Sequence, residues 1–259
     1  MITSTANKQV KRVTQLLEKT KQRKKEQCYV AEGRRLLSEV PAKDVEQVFV
    51  SEALQAEMEG TLLQAGVSYE IVSTQVFKQM ADTVAPQGVL AIVKQPVYTL
   101  AQVLENPGHS VLFLENIQDP GNLGTMFRTA EAAGVSGIIL SPDCVDIFNP
   151  KVIRSTMGAI YRVPFVIMEL AEAITAFKQA GGRIYAAHLK GEKAHYDLNL
   201  TGKTGFLIGN EGNGLTKETA DRADAYLRIP MEGKTESLNA AIAAALLMYE
   251  AKRQNSEKK

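Results

Sequence analysis

Residues 207–215 read LIGNEGNGL, and residues 227–253 read LRIPMEGKTESLNAAIAAALLMYEAKR. In each, an apolar strand runs out into small and polar residues and a helix starts just beyond. That arrangement presents backbone N–H groups and a few fixed side chains at strand ends, where α/β proteins bind ligands. Two such loops at near-adjacent strands predict one composite pocket.

The chain upstream continues the alternation. VLFLENI, SGIILS, VPFVIM, RIYAAHL, TGFLIGN and AYLRIPM are apolar runs of strand length. Between them lie helical stretches: NLGTMFRTAEAAG, which ends at Gly134, NPKVIRSTMGAI, ELAEAITAFKQAGG and LTKETADRA. Asn149 and Pro150 fit the N-cap and first position of the second of these helices. Apolar strands covered by intervening helices imply a mostly parallel sheet. A smaller α/β region precedes it, with a basic amphipathic helix over 6–25, strands at CYVAEG, VEQVFVS, SYEIVS and VLAIVKQP, and helices around RRLLSEV, over 52–66 ending at Gly66, and at TQVFKQMAD. Pro96, Pro107 and Gly108 bracket a connector with room for a short helix. The expected division is 1–95, a linker 96–108, and 109–259.

Composition is that of an ordinary soluble globular protein, with 45% hydrophobic and 23% charged residues. Only Cys28 and Cys144 are present, without CxxC spacing, and His109, His188 and His195 lack ligand spacing. No disulfide framework and no metal site are expected. The polar N-terminus lacks the apolar core of a signal peptide, and the longest apolar run, Ala240–Tyr249, is too short to span a bilayer. A cytoplasmic protein without a membrane partner is expected. The net charge of +1 hides an asymmetry: residues 1–35 hold ten Lys/Arg against three acids. Lys8, Lys11, Arg12, Arg23, Lys24 and Arg34 are therefore candidate contacts to a polyanion such as RNA. A solvated helix face explains the same charges.

Two phosphate-site readings fail. GKT occurs at 202–204 and 233–235, but the glycine a P-loop needs five residues earlier is Asp197 or Arg228. GNEGNG reverses the dinucleotide spacing and falls late in the domain. IQDPGNLGTMFRTAEAAG, 117–134, carries a tight Asp119-Pro120-Gly121 turn, Asn122 at or near a helix start and Arg128 further along. Arg128 reads equally well as an i,i+3 partner of Glu131, and Glu211 as a surface-loop acid. Ser237 is placed to cap the last helix, with Asn239 in its first turn. His188, at a strand end, borders the pocket.

Taken together, IQDPGNLGTMFRTAEAAG, LIGNEGNGL and IPMEGKTESLNAAIAAALLMYE resemble the three ordered motifs of the SpoU (TrmH-type) RNA ribose 2′-O-methyltransferases of the SPOUT superfamily. YVAEGRRLLSEV resembles part of that family's L30e/L7Ae-like substrate-binding domain. The resemblance implies a trefoil-knotted α/β domain, a homodimer, and S-adenosylmethionine as cofactor. It also implies RNA as substrate, 23S rRNA before tRNA. By position it carries catalytic roles to Asn122, Arg128, Glu211, Ser237 and Asn239. Gly209, Ile229 and Leu238 become adenine-side backbone contacts, with Asn210, Gly212 and Met231 beside them.

Arginine stays protonated in proteins, so Arg128 is read as holding a phosphate and stabilising developing alkoxide charge. Glu211 is expected to orient it through a bidentate pair. Ser237 and Asn239 would position the 2′-hydroxyl or the arginine. The competing classes are a non-catalytic RNA-binding or ribosome-assembly protein on the same fold, and a knotted methyltransferase acting on a base.

Overall fold

The computed structural model describes residues 1–57 and 68–256. The chain packs as two compact units: Met1–Pro96 with Phe148–Tyr161, and Val97–Ile147 with Arg162–Lys259.

The first unit begins with α1 (Lys8–Glu18) and α2 (Thr20–Glu26), followed by β1 (Cys28–Glu32) and α3 (Arg34–Leu37). β2 (Val45–Ser51), β3 (Tyr69–Val72), α4 (Thr74–Met80) and β4 (Val89–Lys94) complete it before the connector. The single helix expected over 6–25 is two helices, because Lys19 is extended at φ −116°, ψ 108°. Asn7 caps the first, its side chain accepting from Gln9 N at 2.8 Å. The periodic face is as expected: Val10, Val13 and Leu16 are buried against Phe49, Phe77, Met80, Leu90 and Ile92. Burying each such side chain contributes roughly 1.5–3 kcal/mol. The four strands run β1-β4-β2-β3, with only the β2–β3 pair parallel. The helix expected over 52–66 lies partly outside the described residues. Glu52–Leu54 at its start is a 3-10 turn.

The second unit opens with α5 (Leu100–Glu105) inside the connector, held by a Thr99–Gln102 capping box. Then come β5 (Ser110–Leu114), α6 (Pro120–Ala133) and β6 (Gly137–Leu140). The next helix, α7 (Pro150–Thr156), has the expected Asn149 cap and Pro150, but it groups with the first unit. There Phe148 lies 5.2 Å from the Tyr29 ring, the Tyr29 and Tyr161 hydroxyls bond at 2.6 Å, and Arg154 pairs with Asp82. The chain returns with β7 (Phe165–Ile167), α8 (Leu170–Gln179), β8 (Arg183–Ala187) and β9 (Lys193–Ala194). β10 (Thr204–Ile208), α9 (Lys217–Ala220), β11 (Ala225–Arg228) and α10 (Ala240–Ser256) finish it.

The seven strands run β7-β6-β5-β10-β8-β11-β9, and every pairing is parallel. All five residues of both β5 and β10 are buried, as two-sided cover requires. Phe113 and Phe177 meet edge to face at 5.4 Å beneath α8. β10 pairs with β5 in register, Ile208 opposite Leu114, so the two strands end together. The loops after β5 and β10 therefore leave the sheet side by side.

Candidate active site

Just past β5 comes Glu115, a carboxylate buried at 8% exposure. It accepts from Thr216 N at 2.7 Å, from Thr216 Oγ1 at 2.8 Å, and from Thr219 Oγ1. These bonds anchor the start of α9 to the end of β5. Sequence reading missed this residue; an acid closing an all-apolar strand was the available signal. Asn116 follows in the left-handed region, φ +51°, which asparagine tolerates. Its carbonyl accepts from Asn210 Nδ2 at 2.8 Å.

Asn210 also closes the GNEGNG loop. Its Oδ1 accepts from Gly212 N and Asn213 N at 2.9 and 3.0 Å, and its backbone pairs with Gly214 in both directions. Gly214 takes φ +69°. At Gly209 a Cβ would lie 2.2 Å from the Gly214 carbonyl carbon and the Leu215 nitrogen, so only glycine fits there.

This closed loop presents Glu211 to the start of α6. One carboxylate oxygen accepts from Gln118 N at 3.1 Å; the other accepts from Asp119 N at 3.1 Å and Asn122 Nδ2 at 2.9 Å. Partial burial pushes this carboxyl up, but the Asn122 amide and the backbone N–H groups outweigh it, and the net shift is downward. Asp119, not Asn122, caps α6, accepting from Asn122 N at 2.7 Å. The Asn122 side chain is thereby free to bridge. Its Oδ1 accepts from Asn239 Nδ2 at 2.9 Å. Asn239 Oδ1 in turn accepts from Ala241 N at 2.9 Å and Ile242 N at 3.3 Å. Asn239 is therefore the cap of α10, a role the sequence suggested for Ser237. Ser237 is exposed and caps nothing.

Glu211, Asn122 and Asn239 form one hydrogen-bonded chain joining the three motifs. Arg128 stands apart from it. It lies exposed on α6, with no hydrogen bond or ion pair to any described residue. The expected Glu211–Arg128 pair does not form; both Glu211 oxygens accept from amides instead. Nor does the Arg128–Glu131 pair: Glu131 binds Arg162 in a two-pronged pair.

The segment after β11 leaves its backbone unpaired. From Pro230 to Leu238 no backbone group hydrogen-bonds to another described residue, while Ile229, Pro230, Met231 and Leu238 are half-buried. Unpaired backbone donors and acceptors beside apolar side chains suit the edge and faces of a purine ring. Gly212 is exposed, with only Asn210 Oδ1 near a Cβ position, at 3.5 Å. His188, at the end of β8, stacks on Tyr226 at 5.0 Å, and its Nδ1 accepts from Lys190 N at 3.0 Å.

In the first unit the proposed cations divide. Arg23 is 2% exposed and spends its guanidinium on Leu16 O, Leu17 O and Thr20 Oγ1 at 2.7–2.9 Å. It is a structural cap for α1, not a phosphate contact. Arg12 sits between Glu26 and Glu46, both at 2.6 Å, and Arg34 pairs with Glu57. Two carboxylates neutralise Arg12 for any anion. Lys8, Lys11 and Lys24 are exposed, and their side chains have no partner among the described residues.

Comparison with known proteins places the chain in a family. Residues 109–249 match the SpoU rRNA methylase family, and residues 7–91 match an MRM3-like substrate-binding domain. The chain belongs to the SpoU methyltransferase family. A Bacillus subtilis relative, 23S rRNA (guanosine(2553)-2′-O)-methyltransferase RlmP, is 31% identical over 96% of this chain and 97% of its own. An uncharacterised tRNA/rRNA methyltransferase of Synechocystis is 35% identical, over 98% and 93%. Among solved structures, an AdoMet-bound rRNA methyltransferase from Sinorhizobium meliloti superposes with a TM-score of 0.86 at 31% identity, covering 97% of both chains. The SpoU methyltransferase AviRb of Streptomyces viridochromogenes, in complex with AdoMet, gives 0.84 at 27% identity, covering 96% of this chain and 98% of that one. The SpoU match spans the sheet, the Glu211–Asn122–Asn239 chain and Arg128.

Proposed function

We propose that the chain methylates the 2′-hydroxyl of a ribose in RNA, with 23S rRNA the first substrate class and tRNA the second. The observation that carries this is an exposed, unpaired Arg128 on the helix whose N-terminus is fixed by Glu211 and Asn122. An invariably charged donor left free on a helix whose start is anchored by a polar network suits a reaction that builds negative charge on oxygen. The B. subtilis relative is named for this chemistry on 23S rRNA.

The methyl donor is S-adenosylmethionine, which when bound supplies an electrophilic methyl on a sulfonium sulfur. The unpaired backbone of Pro230–Leu238 and Ile229, Met231, Leu238, Gly209, Asn210 and Gly212 would hold its adenosine end, with His188 at the neighbouring strand end. Accepting that methyl group, the ribose hydroxyl would release its proton to solvent. Arg128 holds the adjacent phosphate and stabilises charge on that oxygen. Glu211, Asn122 and Asn239 keep α6 and α10 in register, and exposed Ser237 would position the 2′-hydroxyl or Arg128.

The family reading includes a trefoil knot and a homodimer. A second copy suits the stripe of Ile242, Leu246 and Tyr249 on α10, each 40–50% exposed at helical spacing. Lys8, Lys11 and Lys24 give the first unit its RNA charge, and the expected setting is the cytoplasm. Among the described residues no helix is long and apolar enough to cross a membrane.

The test is transfer of a radiolabelled methyl group to ribosomal RNA, followed by digestion to nucleosides. Label on ribose, lost with Arg128→Ala, supports the reading. Label on a base, or unchanged transfer by Arg128→Ala, overturns it.

A further inference from the structure

A second loop supports the turn between β5 and α6 from the side opposite Glu211. Ser141 and Cys144 follow β6, and neither belongs to the three motifs. Asn116 N donates to Ser141 Oγ at 2.9 Å, and that hydroxyl donates to Asp143 Oδ1. Ile117 N donates to Cys144 Sγ at 3.3 Å, and the thiol donates to Leu114 O at 3.4 Å. Val145 N donates to Ile117 O at 2.8 Å, and Gln118 Nε2 to Asp143 O at 2.7 Å. Residues 116–118 are thus held on one side by this loop and on the other by Glu211 and Asn210. Asn116 has left-handed backbone, which asparagine tolerates and these bonds hold in place.

We infer that Ser141 and Cys144 are positioning residues for methyl transfer. They fix the Asn116–Gln118 turn so that Gln118 N and Asp119 N meet Glu211, which sets the start of the helix carrying Asn122 and Arg128. Neither residue touches substrate. The inference rests on the methyl-transfer reading.

The experiment compares full-length Ser141→Ala, Cys144→Ala and Cys144→Ser with the unaltered protein. Displacement of reacting groups by about 1 Å can cost on the order of 100-fold in rate. For both alanine variants kcat on ribosomal RNA should fall roughly tenfold or more, while KM for RNA and the Kd for S-adenosylmethionine stay within about twofold. Cys144→Ser keeps both a donor and an acceptor and should restore kcat. Amide exchange at Gln118 and Asp119 should accelerate in Ser141→Ala, although neither amide bonds to Ser141. Unchanged exchange at those amides, no rescue by serine, or a kcat loss matching only the unfolded fraction would overturn the inference. If the unaltered protein methylates no RNA, the functional reading fails instead, and amide exchange still decides whether the loop sets the turn.

Discussion

Replacing Glu211 with glutamine isolates the contribution of its second acceptor oxygen and its charge. The carboxylate receives three N–H donors, from Gln118, Asp119 and the Asn122 side chain. A glutamine amide placed best keeps its oxygen on Asp119 N and Asn122 Nδ2 and turns its NH2 toward Gln118 N. One hydrogen bond becomes a donor–donor contact, a loss of about 1 kcal/mol at this half-open site. Removing negative charge from the first turn of α6 costs about 0.5 kcal/mol more. The expected destabilisation is therefore about 1.5 kcal/mol at pH 7, read from urea unfolding by linear extrapolation.

Acidification provides the internal control. The carboxyl titrates lower in the folded chain than in the unfolded one. Its stabilisation is present above the unfolded pKa and disappears as pH falls through the folded pKa. The gap between native and Glu211→Gln proteins should close over that window. Paired with Asn122→Ala, the substitution should show a coupling of at least about 0.5 kcal/mol. A variant as stable as the native protein at pH 7, with no pH-dependent gap, would refute the view that Glu211 works by holding α6.

Three further outcomes follow from the geometry. Arg128→Ala should leave urea stability within about 0.5 kcal/mol, since the side chain is exposed and unpaired, and leave cofactor titration unchanged, while methyl transfer falls about 100-fold or more. Arg23→Ala should cost about 2–3 kcal/mol, by orphaning carbonyls at the end of α1, without altering the salt dependence of RNA binding; replacing Lys8, Lys11 and Lys24 together should do the reverse, with the log–log salt slope shallower by roughly 0.7 per lost single-strand contact. Burial, with Glu46 alongside, pushes the Cys28 thiol up to about 11, so iodoacetamide at pH 8 should alkylate it far more slowly than free cysteine, and rapid labelling would contradict the described packing.

The sheet was legible because its strands are short apolar runs separated by helices, and that pattern follows from two-sided burial. The helix after Asn149-Pro150 and the buried face of α1 were legible for the same local reason: caps and 3.6-residue periodicity are written into neighbouring residues. The motifs likewise supplied Asn122, Arg128, Glu211 and Asn239 before any coordinates. Their mutual roles were not available. That Glu211 holds backbone amides and not Arg128, and that Asn239 and not Ser237 caps α10, depends on side chains 89 and 117 positions apart meeting across the loops. Charge count put Arg12 and Arg23 with the lysines, because composition cannot tell a paired or buried guanidinium from a free one. The amino-acid sequence by itself determined the elements and the family, since both are properties of local pattern. Only the tertiary structure decided which polar groups satisfy each other and which, like Arg128, have no partner among the described residues, because that depends on which strand ends the parallel sheet brings together.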